Sequence, residues 1–396
     1  MTDLVHVLRD KRRLAAAITS VALVSVALSG WSCHDVATAA GNDGKPVALP
    51  LVWHVHTLAN RSSFFLGTPT LDNGVLYLED GNTVLALDAQ TGATRWARPV
   101  RVHPFPAARI VLARSGRVYV SETDSVLAMD AGDGKTIWNF HPDSQAVTYA
   151  SVDDQALYTG QRGVPIVYAL DLADGHLRWK VNIGPGWEYT GYVNGTAVSG
   201  DTVYVAGRRF LAENGYISKG ILVALDRNNG HEFWRYETPG QYGGLQDAPT
   251  VSGRYLVVSD LLGNAFFAYD RFALKEVWRI KSPDNGPLTP PIVVDGVVYA
   301  GSADRYLYAV DLQTGALKWK QSADGSIGGT AYCAGQVFVE NEAIQRRDPA
   351  REGAYTGYFN PSEKGAQGAP LTSNIATDGQ KIYVAGEDGV YALGCK

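Results

Sequence analysis

One eleven-residue pattern recurs along this chain and restricts its fold more than any other feature. It first reads Ala86-Leu-Asp88-Ala-Gln-Thr91-Gly92-Ala-Thr-Arg-Trp96. It returns at Ala128, Asp130, Gly134 and Trp138, at Ala169, Asp171, Gly175 and Trp179, at Ala224, Asp226, Gly230 and Trp234, and at Ala309, Asp311, Thr314, Gly315 and Trp319. A degenerate copy, Ala268, Asp270 and Trp278, lacks the Gly. Counted from Trp53, the phased Trp residues lie 43, 42, 41, 55, 44 and 41 positions apart. Such a period means an array of small, similar units.

The physics of the unit is readable. An alternating strand ends at Ala-x-Asp, where the Asp carboxylate can accept hydrogen bonds from backbone N–H groups two residues on. Gly supplies the positive φ that the turn requires. The Trp then stands on the returning strand, with an apolar face large enough to seal one sheet against the next. Each copy follows a second hairpin with its own turn, such as Pro290 to Tyr299 around Asp295-Gly296. Two hairpins make a four-stranded antiparallel sheet, which is a propeller blade. The first-hairpin turns centre on Asn73-Gly74, Ser115-Gly116, Asp153-Asp154, Gly200-Asp201, Ser252-Gly253, Asp295-Gly296, Ala334-Gly335 and Asp378-Gly379. That gives eight blades against seven phased Trp residues. The shortfall lies after Trp319, where Asn341–Pro370 holds no Trp and is read as the eroded or expanded outer half of blade seven. The chain ends on Gly389–Gly394, a third strand with no fourth. Leu51–Val55, with Trp53 in phase, supplies the missing strand and closes the ring. The expectation is an all-β, eight-bladed propeller without free sheet edges.

Residues 1–39 are read as a leader, 40–50 as a linker and 51–396 as the propeller. Arg9, Lys11, Arg12 and Arg13 precede an uncharged stretch from Leu14 to Gly30, the layout of an export signal. Two cleavage readings stay open. Ala37-Thr38-Ala39 would release a soluble chain, and Ser32-Cys33 would leave Cys33 to carry a lipid. Arg12-Arg13 also hints at twin-arginine export. Without the leader, Cys333 and Cys395 remain as a pair that could bridge in an oxidising compartment, or stay two separate buried thiols.

The formal net charge of −5 argues against nucleic-acid binding, which favours a basic excess. Hydrophobic content of 45% with 19% charged residues belongs to a globular chain, here expected to be a monomer. His-Glu-x-x-His, Gly-x-Ser-x-Gly and phosphate-binding Gly loops do not occur. His54 and His56 share one strand face and could be two metal ligands. On an outermost strand they are expected to face solvent, and no metal site is expected. Glu79-Asp80, Glu122-x-Asp124, Asp304-Arg305 and Glu387-Asp388 each follow a second strand, which points to turn chemistry, with calcium as the alternative.

The Ala-x-Asp-x-x-Thr-Gly-x-x-x-Trp pattern resembles the tryptophan-docking repeat of the pyrroloquinoline quinone (PQQ) propeller superfamily, over roughly residues 51–396. That superfamily includes alcohol dehydrogenases holding PQQ and calcium in the central funnel. It also includes cofactor-free exported members, such as the lipoprotein of the outer-membrane protein assembly machinery. The dehydrogenases commonly carry a vicinal Cys-Cys pair over the quinone, whereas Cys here stands only at 33, 333 and 395. The resemblance therefore implies two function classes. One is a non-catalytic propeller that binds an envelope protein or peptide and meets a membrane only through its N-terminus. The alternative is a PQQ- and calcium-dependent oxidoreductase.

Strand order puts the blade-to-blade links and the turns between second and third strands on one face. The unusual residues gather there. Trp187 is the one Trp after the leader that falls outside the repeat phase, and it stands beside Glu188 and Tyr189. Other links carry His103 and Tyr242, Gln246 and Asp247, and the cations are Arg61, Arg109, Arg208, Arg209 and Arg305. An aromatic group beside carboxylates and guanidiniums at a funnel mouth suits a small polar ligand or a peptide. The competing reading makes Trp187 a plug and the charges solvated loop tips. No catalytic residue is assigned.

Overall fold

The structure is a computed structural model describing residues 45–396, except 57–68, 102–110, 123, 143–149, 162, 186–190, 212–216, 284–289, 362–370, 372–373 and 387. The proposed leader, with Cys33, lies outside the described residues. No helix among those described is long and apolar enough to cross a membrane.

Eight antiparallel four-stranded blades form the fold. Blades 1 to 7 span 70–99, 111–140, 151–182, 191–237, 250–281, 292–322 and 329–359. Blade 8 takes three strands from 376–394, and Leu51–His56 is its outermost strand. Leu51–His56 pairs antiparallel with Gly389–Gly394, and Trp53 lies opposite Ala392. The innermost strands neighbour one another in order, and Ala376–Thr377 returns to Thr70–Asp72, so the ring closes.

The repeat turns adopt the geometry that their residues dictate. Asp88 Oδ1 accepts the backbone N–H groups of Gln90 and Thr91, each at 3.0 Å, and the Thr91 hydroxyl at 3.0 Å. Asp311 does the same with Gln313 and Thr314. Six of the seven phased Trp residues then pack on the turn glycine of the following blade, and Trp234 packs on Tyr269 instead. A Cβ on Gly175 would stand 2.6 Å from the Trp138 ring, and one on Gly134 would stand 2.7 Å from the Trp96 ring. The indole N–H groups of Trp53, Trp96, Trp138, Trp179 and Trp278 donate to carbonyls of Ala89, Ala131, Leu172, Arg227 and Leu312. Each bond crosses to the next blade, so one side chain supplies both apolar burial and a satisfied polar link.

Blade 7 corrects one expectation. Its outer half is intact: Ile344–Asp348 and Ala354–Phe359 form a paired hairpin. Asp348 caps a short 3-10 turn over Pro349–Arg351, and Gly353 at φ +76° stands under Trp319. The hairpin escapes the motif because Arg346 pairs with Gly357 where the other blades pair Ala with Trp. The stretch read as a linker also does more than connect. Val47–Ala48 adds a parallel fifth strand to blade 7, and Leu49 is buried against it. A disulfide joins Cys333 of blade 7 to Cys395 of blade 8, with Cα atoms 5.9 Å apart.

Candidate functional site

Blade 4 departs from the others by length. Its first three strands, Gly191–Ser199, Thr202–Phe210 and Ser218–Asp226, have nine residues each, against six or fewer in the inner three strands of the other blades. The second and third strands of this blade stay paired out to Phe210 opposite Ser218. Arg208 and Arg209 are therefore strand residues. The Arg208 guanidinium lies 4.8 Å from the Phe210 ring centre, and its Nε donates to Ser218 Oγ at 2.8 Å. Arg209 pairs with Glu237 at 2.7 Å, and Lys219 approaches the same carboxylate at 3.4 Å.

The link from blade 4 to blade 5 is strapped along this hairpin. Ser218 N–H donates to the Gln241 carbonyl, and Gly243 N–H donates to the Ser218 carbonyl. Gly243 and Gly244 are needed by contact: a Cβ would meet Thr238 Oγ1 at 2.2 Å at the first and the Leu262 side chain at 2.9 Å at the second. Gly244 N–H donates to Asp260 Oδ1 at 2.9 Å, and Asp260 pairs with Arg279 at 3.0 Å. Burial would lower the Arg279 pKa, but the carboxylates of Glu276 and Asp260 outweigh it and raise it. This framework leaves Tyr242 65% exposed at the crest of the link. Gln246 and Asp247 follow, half-buried, just before the innermost strand of blade 5. Asp247 Oδ2 has no hydrogen-bond partner, and enclosure by the protein pushes its carboxyl up to about 7.

Five candidates thus come together: Arg208, Arg209, Tyr242, Gln246 and Asp247. Arg305 is exposed at φ +70° in a turn of blade 6, on the same face but with blade 5 between. Arg61, His103, Arg109, Trp187, Glu188 and Tyr189 lie outside the described residues. Sequence reasoning missed Asp260, Glu237 and Arg279, which build the ledge. It also missed Glu340, at the end of the second strand of blade 7, whose carboxyl burial pushes up to about 7. An acid at the end of a second strand, as at Asp80, Glu122 and Asp260, was the available signal.

The paired carboxylates read as turn chemistry divide. Asp304 accepts Tyr306 N–H and the Tyr308 hydroxyl, and Asp388 accepts the Tyr391 hydroxyl. Glu79 and Asp80 instead belong to the strand Val75–Asp80 and are buried. Of the two histidines expected to face solvent, His56 does, but His54 is partly covered and stacks on Tyr391.

A family model described as outer membrane protein assembly factor BamB matches residues 50–209, 163–260 and 218–345. Assembly factor BamB of Yersinia pestis is 26% identical over 193 residues, 45% of this chain and 44% of that protein. Quinohemoprotein alcohol dehydrogenase ADH-IIG of Pseudomonas putida is 29% identical over 150 residues, 35% of this chain and 20% of that protein. The matches thus span less than half the length of either relative. The crystal structure of BamB from Moraxella catarrhalis superposes with a TM-score of 0.65 at 14% identity, covering 87% of this chain and 99% of that one, a likeness of fold. The family match runs from residue 50 to residue 345, on blades whose Trp-on-Gly docking is the repeat itself, and the chain belongs to the BamB family of PQQ-like propellers.

Proposed function

We propose that this chain is an exported, non-catalytic propeller that binds a protein or peptide of the cell envelope on its loop-rich face and serves as a scaffold there. The observation that carries this reading is the strapped link over blades 4 and 5. It holds Tyr242 outward on a fixed backbone, beside Gln246 and Asp247, while Arg208, Arg209, Lys219 and Arg279 are engaged within the ledge. A rigid aromatic group ringed by committed polar groups is the composition of a binding hot spot. Fold alone does not choose the function. Export is supported by the disulfide, which suits an oxidising compartment, and by membership of a family described as an outer membrane protein assembly factor.

The quinoprotein reading requires cations for a tricarboxylate, a stacking floor and oxygen ligands for calcium. The described residues fit it poorly. Arg209, Lys219 and Arg279 of the ledge are paired with carboxylates, and Cys333 and Cys395 are bonded to each other between blades at the face opposite the long links. Photo-crosslinking decides between the readings. A photoreactive phenylalanine at Tyr242 is expected to give discrete adducts in envelope fractions, whereas the same group at Phe272 on the opposite face gives none. Adducts only at Phe272, or dye reduction with an alcohol that requires added PQQ and calcium, would overturn the reading.

A further inference from the structure

We propose that His54, His56 and Asp388 form a binding site for a first-row transition-metal dication that prefers nitrogen and oxygen ligands, zinc(II) being the reference, and that the metal fastens the closing strand onto blade 8. The strand period puts His54 and His56 on one face, and their ring centres lie 4.3 Å apart. Pairing with the third strand sets His54 opposite Tyr391 and His56 opposite Gly389, so Asp388 stands at the head of the strand that they face. Asp388 Oδ2 is 3.7 Å from His54 Nε2, and one ligand atom from each residue falls within 4.8 Å of the others. Tetrahedral zinc with bonds of about 2.1 Å holds its ligand atoms about 3.4 Å apart. The spacing within the group therefore exceeds that of a bound set by about 1.4 Å at most.

The surroundings are those of a ligand set rather than of a chance ion pair. One tyrosine orients two of the ligands: the Tyr391 hydroxyl donates to the Asp388 carboxylate, and the His54 ring stacks on the Tyr391 ring at 4.1 Å with 4° between planes. A hydrogen bond to a ligand of this kind positions it and tunes its basicity. His54 Nε2 is shielded from water and has no hydrogen-bond partner. Gly389, at φ +147°, lets the closing strand approach, since a Cβ there would meet the Val55 carbonyl oxygen at 2.1 Å and His54 Nε2 at 3.0 Å. Three protein ligands leave a fourth position for water or an outside ligand.

A second grouping, Asp171, Asp174 and His176, has the same residue types but sits in a repeat turn. Its oxygens already serve the turn: Asp171 accepts Ala173 N–H, and Asp174 accepts His176 N–H. It provides the control. The full exported chain, stripped with a chelator, is titrated with zinc chloride in competition with a chromophoric chelator, and its melting is followed with and without zinc. One equivalent is expected, with a higher melting temperature. H56A removes an exposed ligand that lies outside the buried core and should weaken zinc at least about 100-fold and abolish the thermal shift. Y391F should weaken it about 10-fold, as outer-shell partners do. H176A should change neither reading. Absence of saturable binding, or binding that survives H56A and D388N and is lost in H176A, would overturn the proposal.

Discussion

Six of the eight seams between blades are built alike, a seventh, between blades 4 and 5, keeps the Trp without the turn glycine, and the eighth, between blades 7 and 8, is built differently. At the six, a Trp on the outer strand lies over the turn glycine of the next blade. Trp53, Trp96, Trp138, Trp179, Trp278 and Trp319 meet glycines 92, 134, 175, 230, 315 and 353, and Trp234 meets Tyr269 with ring centres 5.1 Å apart. At the eighth, the outer strand of blade 7 carries Gly357 where the others carry Trp. Leu49, the Val47–Ala48 strand and the Cys333–Cys395 bond occupy that seam instead. The difference separates two ways of making a ring. Docking is local and repeats every blade, whereas closure draws on both ends of the chain and occurs once. Losses at the closure seam should therefore spread around the ring, and losses at a docked seam should stay close to it.

The largest expected effect comes from removing the closure. A chain lacking residues 1–58 loses Leu49, Trp53 and the outer strand of blade 8 together, and it exposes the third strand of that blade as an unpaired edge. The loss should exceed the about 3–5 kcal/mol of one large-to-small core change, with aggregation on heating. A chain lacking only residues 1–39 should melt as the full chain does. Equal melting temperatures for the two truncations would break the closure account.

Next in size is the docked seam itself. Trp138→Ala removes a ring that is 7% exposed and a hydrogen bond to Leu172, and should cost about 3–5 kcal/mol in denaturant unfolding. Trp234→Ala should cost less, because Trp234 is only partly buried. A reversed order would deny that docking depth sets seam strength.

The disulfide follows, at about 2–4 kcal/mol. Replacing Cys333 and Cys395 together by Ser should lower stability by that amount. Alkylation of the oxidised chain without reduction should leave both positions unmodified in the mass spectrum. Two alkylated thiols would leave the eighth seam without its covalent tie.

Blade 7 also differs at its core end. Burial lifts the Glu340 carboxyl from an ordinary 4.5 to about 7, so the folded chain keeps a proton that the unfolded chain releases between those values. Stability should fall as pH rises through that window and level off above it, a contribution of about 1–3 kcal/mol. Asp247 adds to the same slope through its own raised value. Glu340→Gln should therefore flatten the decline between pH 5 and pH 8 in paired denaturant titrations. An unchanged slope would mean that Glu340 is charged in the fold.

How much of this was legible in the sequence follows from the same contrast. The docked seams were legible because Asp, Gly and Trp each do one local job at a fixed spacing, and a repeat turns chemistry into period. The closing role of Leu51–Val55 was legible because Trp53 keeps that period. The outer half of blade 7 was not, because Gly357 and Arg346 replace the Trp and Ala that mark it. The Val47–Ala48 strand was not, since two residues paired in parallel across the whole chain leave no pattern. At the candidate site, Tyr242 and Asp247 were found by their position in a long link. Arg208 and Arg209 were read as open cations, but their partners Ser218 and Glu237 are distant enough in sequence that only the pairing of strands reveals them.

The smallest effect tests docking where the repeat is weakest. Blade 5 lacks the turn glycine, and Leu274 takes its place four residues after Asp270, as Gly92 does after Asp88. Leu274 holds φ +54°, a conformation that side chains with a Cβ resist. It is 52% exposed, so its side chain recovers little of that cost by burial. Asp270 still accepts Phe272 and Ala273 N–H, and the turn is formed at the expense of a strained residue. Leu274→Gly should relieve the strain and give up little packing, and glycine's greater freedom in the unfolded chain offsets part of the gain. A net stabilisation of up to about 1 kcal/mol is expected, read as a higher denaturant midpoint with unchanged slope. The same change should enlarge the penalty of Trp234→Ala, because a glycine turn admits the indole as the other seams do. If the double variant shows no coupling between positions 234 and 274, the missing glycine is not what makes this seam shallow.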